Sequence, residues 1–377
     1  MVSAGIYLHI PFCKTKCIYC DFYSLPERDN TIPRFVEMIA KEINRCIVDT
    51  AGWTFDTLFI GGGTPSILEP KQVEMILQTL SRRFDIGGLK EITIEANPES
   101  VTEEKLRGFL SLGVNRLSLG VQSLNPDLLR FLGRIHDAET VYTAFRAARK
   151  AGFGNINCDL IFGIPGQTAH SWESDLNRIT KLGPEHLSVY SLTVENGTRL
   201  HHLVNSDAVT MPTDEESANW FYSTMELLGG KGYRHYEISN YARNGKECRH
   251  NLHYWAHDPY LGFGPSAHSY DGRQRWQNIP GLDYYLKLIQ CDQSPVIDRY
   301  TLTDRDKINE ILGFGIRMSE GANLASLPHN QRERINTMIA NALTKWRGYL
   351  KRENERLFLT RKGLAFADAI AVDLMLD

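Results

Sequence analysis

Long apolar runs are missing from this chain of 377 residues, and no segment stays hydrophobic long enough to span a bilayer. Residues 1–10 have neither the basic start nor the extended apolar middle of a secretion signal, so the sequence predicts a cytoplasmic protein. An excess of one charge is missing too. Lys and Arg number 42 against 45 Asp and Glu, and the resulting formal charge of −3 argues against a general nucleic-acid binder. Cysteine is scarce, with seven in the whole chain, which is no disulfide framework. Neither a repeat of solenoid period nor a low-complexity segment is found.

What is present is unevenly placed. A 42% hydrophobic content allows a sizeable core, and the length suits one large α/β domain with a smaller one beside it. Three of the seven cysteines, Cys13, Cys17 and Cys20, fall within eight residues. Such crowding reads as metal or redox chemistry in a reducing compartment. Cys46, Cys158, Cys248 and Cys291 are scattered and read as buried apolar side chains or incidental thiols.

Up to about residue 194, short apolar runs at 5–10, 57–60, 91–96, 116–121, 156–162 and 186–192 alternate with amphipathic stretches at 33–47, 71–84, 102–112, 138–151 and 171–182. Thr102 followed by two glutamates opens one of these stretches, and Gly113 and Gly152 follow two of them, as helix caps require. Strands alternating with helices imply parallel β-α units, and six of them suggest an open or partial (β/α)6 barrel. The unusual residues gather at strand ends: the cysteine loop after the first, Gly61-Gly62-Gly63-Thr64-Pro65 after the second, Glu95 and Asn97 at the third, Gln122 at the fourth, Asp159 in the fifth, Tyr190 and Glu195 around the sixth. In a (β/α) barrel that is the face carrying the site.

Beyond about residue 205 the pattern changes. A helix is predicted over 213–229, then a segment rich in Tyr, His, Trp and Gly over 233–279 with β-like runs at 236–241 and 267–270. Helices over 304–319 and 332–346, a strand over 355–359 and an amphipathic helix over 364–374 predict a winged-helix-like α+β domain at the C-terminus. The expected units are therefore 1–205, the barrel; 206–295, an extension of it; and 296–377, the C-terminal domain. Arg332, Arg334, Lys351 and Arg352 are basic but interleaved with acids, so packing or partner binding is expected there rather than nucleic acid.

The spacing Cys13-x3-Cys17-x2-Cys20 puts three soft thiolates on one short loop, which suits three corners of an iron–sulfur cubane or a zinc site. Structural zinc ordinarily takes four closed ligands, and the neighbourhood adds only His9. Three ligands leave one iron open for chemistry; zinc and free thiols are the alternatives.

Tyr7-Leu8-His9-Ile10-Pro11-Phe12-Cys13-x3-Cys17-x-Tyr19-Cys20 resembles the start of radical SAM (S-adenosylmethionine) proteins. The segments Gly61 to Pro65, Glu95, Gly120-Val121-Gln122-Ser123 and Asp159 to Pro165 follow in the matching order. They are most similar to the group related to oxygen-independent coproporphyrinogen III oxidase, and within it to the haem-chaperone branch. The likeness runs over nearly the whole chain and is strongest in residues 5–195. It implies a [4Fe–4S] cluster on Cys13, Cys17 and Cys20, with SAM chelating the fourth iron through its amino and carboxylate groups. It further implies cofactor contacts from Tyr7, Tyr19, Gly62, Gly63, Thr64, Glu95, Gln122, Arg134 and Asp159. The chemistry of several side chains fits these roles. Glycines permit close backbone approach, Glu95 can pair with a cation, Arg134 with a carboxylate, and Asp159 with a ribose or an ammonium.

Two departures separate the chain from the oxidase. Phe22 stands where the oxidase has a further cysteine, and only twelve residues precede Cys13. The resemblance therefore implies a protein that binds haem as cargo and delivers it to apo-proteins; homodimer formation and association with membrane-bound acceptors are implied by it as well. An oxidoreductase acting on a porphyrinogen is the alternative function, and a passive electron carrier a third; the residues leave open whether SAM is turned over. His250-Asn251-Leu252-His253-Tyr254 matches the HNxxY motif tied to haem binding in that branch, making His250 and Tyr254 candidate haem contacts. A hydrogen-bonded turn is the plainer reading of both. His257 and His268 are minor candidates by proximity in the chain.

Overall fold

Strands buried on both faces read as continuous apolar runs, and the six expected ones pair side by side in the computed structural model. The structure describes residues 1–376, without the side chain of His329; Asp377, the end of the third expected unit, lies outside it. The strands are β1 (Val2–Ile10), β2 (Trp53–Gly62), β3 (Glu91–Ala96), β4 (Arg116–Gln122), β5 (Ile156–Phe162) and β6 (His186–Ser191). They run parallel in chain order, joined by crossover helices α1 (Ile32–Asn44), α2 (Pro70–Arg83), α3 (Glu103–Ser111), α4 (Pro126–Leu132), α5 (Ala138–Ala151) and α6 (Ala169–Leu182). The short α4 was not legible as a helix. It is capped by the Asn125 side chain, which accepts from the backbone N–H of Asp127 and Leu128, and it ends at Gly133 in the left-handed region. The caps read from the sequence do form: Thr102 accepts from Lys105 N, and Gly152 closes α5 with φ +115°.

The sheet then grows at both edges. Tyr260–Phe263 lies parallel to β1, followed by antiparallel strands His268–Tyr270, Gln274–Asn278 and Val296–Thr301. On the far edge Asn240–Ala242 and Arg234–Glu237 run antiparallel to β6, so the β-like run 236–241 is two strands meeting at a turn. Among the described residues the sheet has twelve strands in an open order, which makes the barrel partial.

The apolar core lies between sheet and helices, with Ile6, Leu58, Ile94, Leu117 and Leu160 among its fully buried members. The concave side of the sheet is different. Thr57, Thr93, Arg116, Ser118, Asn157 and His186 are buried there as polar groups. Buried polar groups persist only when paired. His186 bridges Asn157 and Tyr236 (both 2.7 Å), and Glu91 receives the N-terminal backbone N–H groups of the helix Arg249–Ala256. A carboxylate at a helix N-terminus also complements the helix dipole.

Helix Asp304–Gly315, strand Ala322–Asn323, helix Arg332–Lys345 and the hairpin Leu350–Glu353/Arg356–Leu359 make the C-terminal winged-helix-like unit, with its own core of Ile308, Leu312, Ile335, Ile339, Leu357 and Ile370. It touches the barrel through His257 and Glu310 (2.6 Å) and through a bridge from Glu237 to Met318. Among the described residues, no helix is long and apolar enough to cross a membrane.

Candidate functional site

Two loops at the C-terminal ends of β1 and β2 lock together. Gly63 N–H donates to Ile10 O (2.8 Å) and Thr64 N–H to Phe12 O (2.7 Å). Only glycine fits between them: a Cβ on Gly63 would stand 2.5 Å from Phe12 O and 3.0 Å from Cys13 Sγ, and Gly62 has φ +114°. Gly63→Ala must push backbone against backbone, an overpacking that costs about 1–3 kcal/mol. The expected result is a lower melting temperature and a reduced iron load after reconstitution; wild-type values for both would show that the loop yields freely. The cysteine loop is clasped at its base, where Phe12–Cys13 pairs in parallel with Leu25–Pro26.

Cys13, Cys17 and Cys20 line one cavity of about 390 Å³ at the mouth of the barrel. Cys13 Sγ lies 3.3 Å from Thr64 Oγ1, and Arg134 Nη1 donates to Cys17 Sγ at 3.6 Å. All three are free thiols, and burial pushes the thiols of Cys13 and Cys20 up. Buried thiols become thiolates when a bound metal supplies the compensating charge. Among the described residues, no three or more His, Cys, Asp or Glu are gathered for a single metal ion. Three soft sulfurs lining one cavity fit three corners of an iron–sulfur cluster.

Opposite charges are laid out around the same space. Glu95 accepts from Gly62 N–H (3.1 Å), and burial first, then the nearby charge of Asp159, raises its carboxyl to about 8. Asp159 accepts from Asn157 Nδ2 (2.7 Å) and Ser118 Oγ (3.2 Å), and burial raises it as well. Two buried carboxyls that resist ionisation are poised to receive a cation. Arg134 is the counterpart, held by Asn97 Oδ1 (2.7 Å) and Gly120 O (2.8 Å). Gln122 occupies φ +66° where the register between β4 and β5 slips, a strained backbone at a site wall.

Of the sequence-predicted residues, Cys13, Cys17, Tyr19, Cys20, Gly62, Gly63, Thr64, Glu95, Gln122, Arg134 and Asp159 all line this cavity. Tyr7 does not. With Tyr254 it lines a neighbouring cavity of about 510 Å³ between the cysteine loop and the strands Tyr260–Phe263 and His268–Tyr270. Asp21 and Phe22 belong to both walls. His250 reaches neither. It is fully buried on β1 and β2, its Nδ1 bonded to Thr57 Oγ1 (2.9 Å) and its Nε2 to Tyr254 Oη (2.8 Å), with Phe59 stacked against the ring. Burial holds its pKa well below the usual imidazole value. A residue whose importance the motifs understated is Asn97, which donates to Thr64 Oγ1 (3.1 Å) while accepting from Arg134. Its only sequence signal is its place at a strand end before Pro98. Thr15, Ser24 and Thr193 also line the cavity and carry no signal of their own.

This fold with this cavity is that of a radical SAM protein, and a family model described as Radical SAM superfamily matches residues 7–179. Among solved structures, coproporphyrinogen III oxidase (HemN) from Escherichia coli superposes with a TM-score of 0.85 over 99% of this chain and 90% of that one; at 23% identity the likeness speaks for the fold. The Heme chaperone HemW of Bacillus subtilis (strain 168) is 34% identical over 95% of each chain. The Heme chaperone HemW of Lactococcus lactis subsp. lactis (strain IL1403) is 31% identical over 98% and 97%. The mitochondrial Radical S-adenosyl methionine domain-containing protein 1 of Danio rerio is 34% identical over 85% of this chain and 74% of its own. The chain belongs to the HemW family, as its motifs led one to expect. Membership of the radical SAM superfamily implies a [4Fe–4S] cluster and SAM.

Proposed function

We propose that this chain binds haem and delivers it to apo-proteins, using a radical SAM core that holds a [4Fe–4S] cluster on Cys13, Cys17 and Cys20. The observation that carries this reading is the adjacency of two cavities. One gathers the three cysteines with a cation-seeking carboxyl pair; the other is walled by aromatic rings, and Asp21 and Phe22 stand between them. The relatives named heme chaperones supply the cargo.

Within the first cavity the division of labour follows from charge. Glu95 and Asp159 face the positive end of SAM, Arg134 takes its carboxylate, and the open backbone of Gly62 and Gly63 lets the amino-acid end approach closely. Gln122 and Tyr19 complete the walls. The bound cluster and SAM would supply one-electron cleavage of a C–S bond. Delivery to membrane-bound acceptors and a homodimeric state belong to the same reading.

Anaerobically reconstituted protein titrated with haemin is expected to develop a saturable Soret band at one haem per chain and to pass that haem to an apo-haem protein. No saturable band would end the chaperone reading. The retained SAM pocket favours a second reading, a porphyrinogen oxidase. Anaerobic incubation with coproporphyrinogen, SAM and a reductant separates the two, since protoporphyrinogen formed well above background would establish the enzyme. The exposed Phe22 at the shared wall, where the oxidase has a cysteine, weighs against that outcome.

A further inference from the structure

The cavity between the cysteine loop and the strand His268–Tyr270 is large, about 510 Å³, and mostly aromatic. Tyr7, Tyr254, Trp255, Tyr260 and Phe314 supply flat apolar walls. A metalloporphyrin needs such walls and one more thing, a lone pair aimed at its metal.

The histidines around this space can be sorted by what their ring nitrogens already do. His9 is bonded on both, to Tyr7 Oη (3.1 Å) and to Tyr23 O (2.8 Å). His257 is bonded on both, to Tyr270 Oη (3.2 Å) and Glu310 (2.6 Å). His253 is clamped between Asp56 (2.7 Å) and Asp258 (2.9 Å). His250 is tied to Thr57 and Tyr254 behind the wall. The tyrosines fare no better as ligands, because burial raises the phenols of Tyr7, Tyr254 and Tyr260 and keeps them protonated. His268 differs from all of these. It lines the cavity, it is exposed, and neither ring nitrogen makes a hydrogen bond to a described residue. Partial desolvation and the nearby Arg275 lower its pKa, so the ring is neutral at pH 7 and its lone pair is available.

The backbone is shaped to present it. Gly264 and Ser266 both take positive φ in the turn before it, and Gly262 has no Cβ where one would lie 2.1 Å from His268 O. The strand carrying His268 can therefore run hard against Tyr260–Phe263 with its imidazole over the cavity.

We propose that this aromatic cavity is the haem site and that His268 is the side chain that ligates the iron, with Tyr254 forming part of the wall and His250 orienting Tyr254 from behind. The assignment rests on the chaperone reading for its ligand. A coordination bond from an imidazole nitrogen to ferric iron displaces only a weak ligand such as water, so no redox step is involved.

The experiment uses the full chain, reconstituted anaerobically and titrated with haemin, with EPR and resonance Raman reading the iron's ligand. Wild type is expected to show a histidine-bound iron. His268→Ala is expected to lose that signature and to bind haemin about tenfold or more weakly, at the least what is lost when a metal ligand's supporting partners are removed. Imidazole added to the solution should restore the signature. His250→Ala is expected to weaken binding yet keep the histidine signature. An exposed side chain can be removed without unfolding the protein, and an unchanged iron–sulfide load and circular dichroism spectrum will verify that for His268→Ala. Wild-type spectra and affinity in His268→Ala would overturn this assignment alone. Failure of wild type to bind haemin would remove the chaperone reading and the site with it.

Discussion

Cys17→Ser is expected to bring the iron and sulfide content after anaerobic reconstitution from about four irons per chain down to background. The reason is chemical and geometric together. A serine hydroxyl is hard, weakly acidic and a poor iron ligand, whereas the cubane needs thiolate at each protein-held corner. His9 is not free to substitute, being committed to Tyr7 and Tyr23 and lining the neighbouring cavity. Arg134, which donates to Cys17 Sγ, would be left beside an oxygen but keeps its bonds to Asn97 and Gly120. The loop itself should survive, since Ile18 N–H still donates to Leu132 O and Cys20 N–H to residue 17's carbonyl. Iron and acid-labile sulfide assays check the prediction, and a normal load in the variant would remove Cys17 from the ligand set.

Glu95→Gln is expected to weaken SAM binding by about ten- to hundredfold, since a hydrogen bond to a charged partner is worth about 1.5–3 kcal/mol. The pH dependence sharpens the claim. With its carboxyl raised to about 8, Glu95 is mostly protonated in the free protein at pH 7. A bound cation favours the carboxylate, so binding near pH 7 must release a proton. Affinity therefore rises with pH up to about 8, and the glutamine variant is expected to rise less steeply, keeping only the protons lost by Asp159 and by SAM's own amino group. Calorimetry in two buffers of different ionisation enthalpy measures the released proton directly. A buffer-independent enthalpy in wild type would show that Glu95 does not meet the cation. The stability of the ligand-free protein carries the same signature. Because the folded value lies above the unfolded 4.5, this group's contribution to folding is complete below 4.5 and is lost as the pH climbs through about 8.

Much of this site was readable from spacing because its parts are local. A thiolate trio within eight residues cannot be far apart in any fold, and a glycine run after an apolar strand marks a turn that something must approach. Six parallel strands were readable for a related reason: burial on both faces leaves uninterrupted apolar runs. Helix α4 was less so, being seven residues long and defined by Asn125 and Gly133 rather than by a periodic face. The segment 233–279 was harder still, since its short strands extend both edges of the one sheet and take their partners from β1 and β6.

The chain's linear order thus specifies a three-cysteine loop on a partial barrel, because each of those features is set by neighbours a few residues apart or by the burial of one strand. Which histidine is free is another matter. His250 carries the motif, yet it is occupied by Thr57, 193 residues away, and by a phenol one helical turn on. His268, with no motif around it, is left open. Hydrogen-bond partners that arrive from distant strands are chosen when the sheet assembles, and no local pattern encodes them.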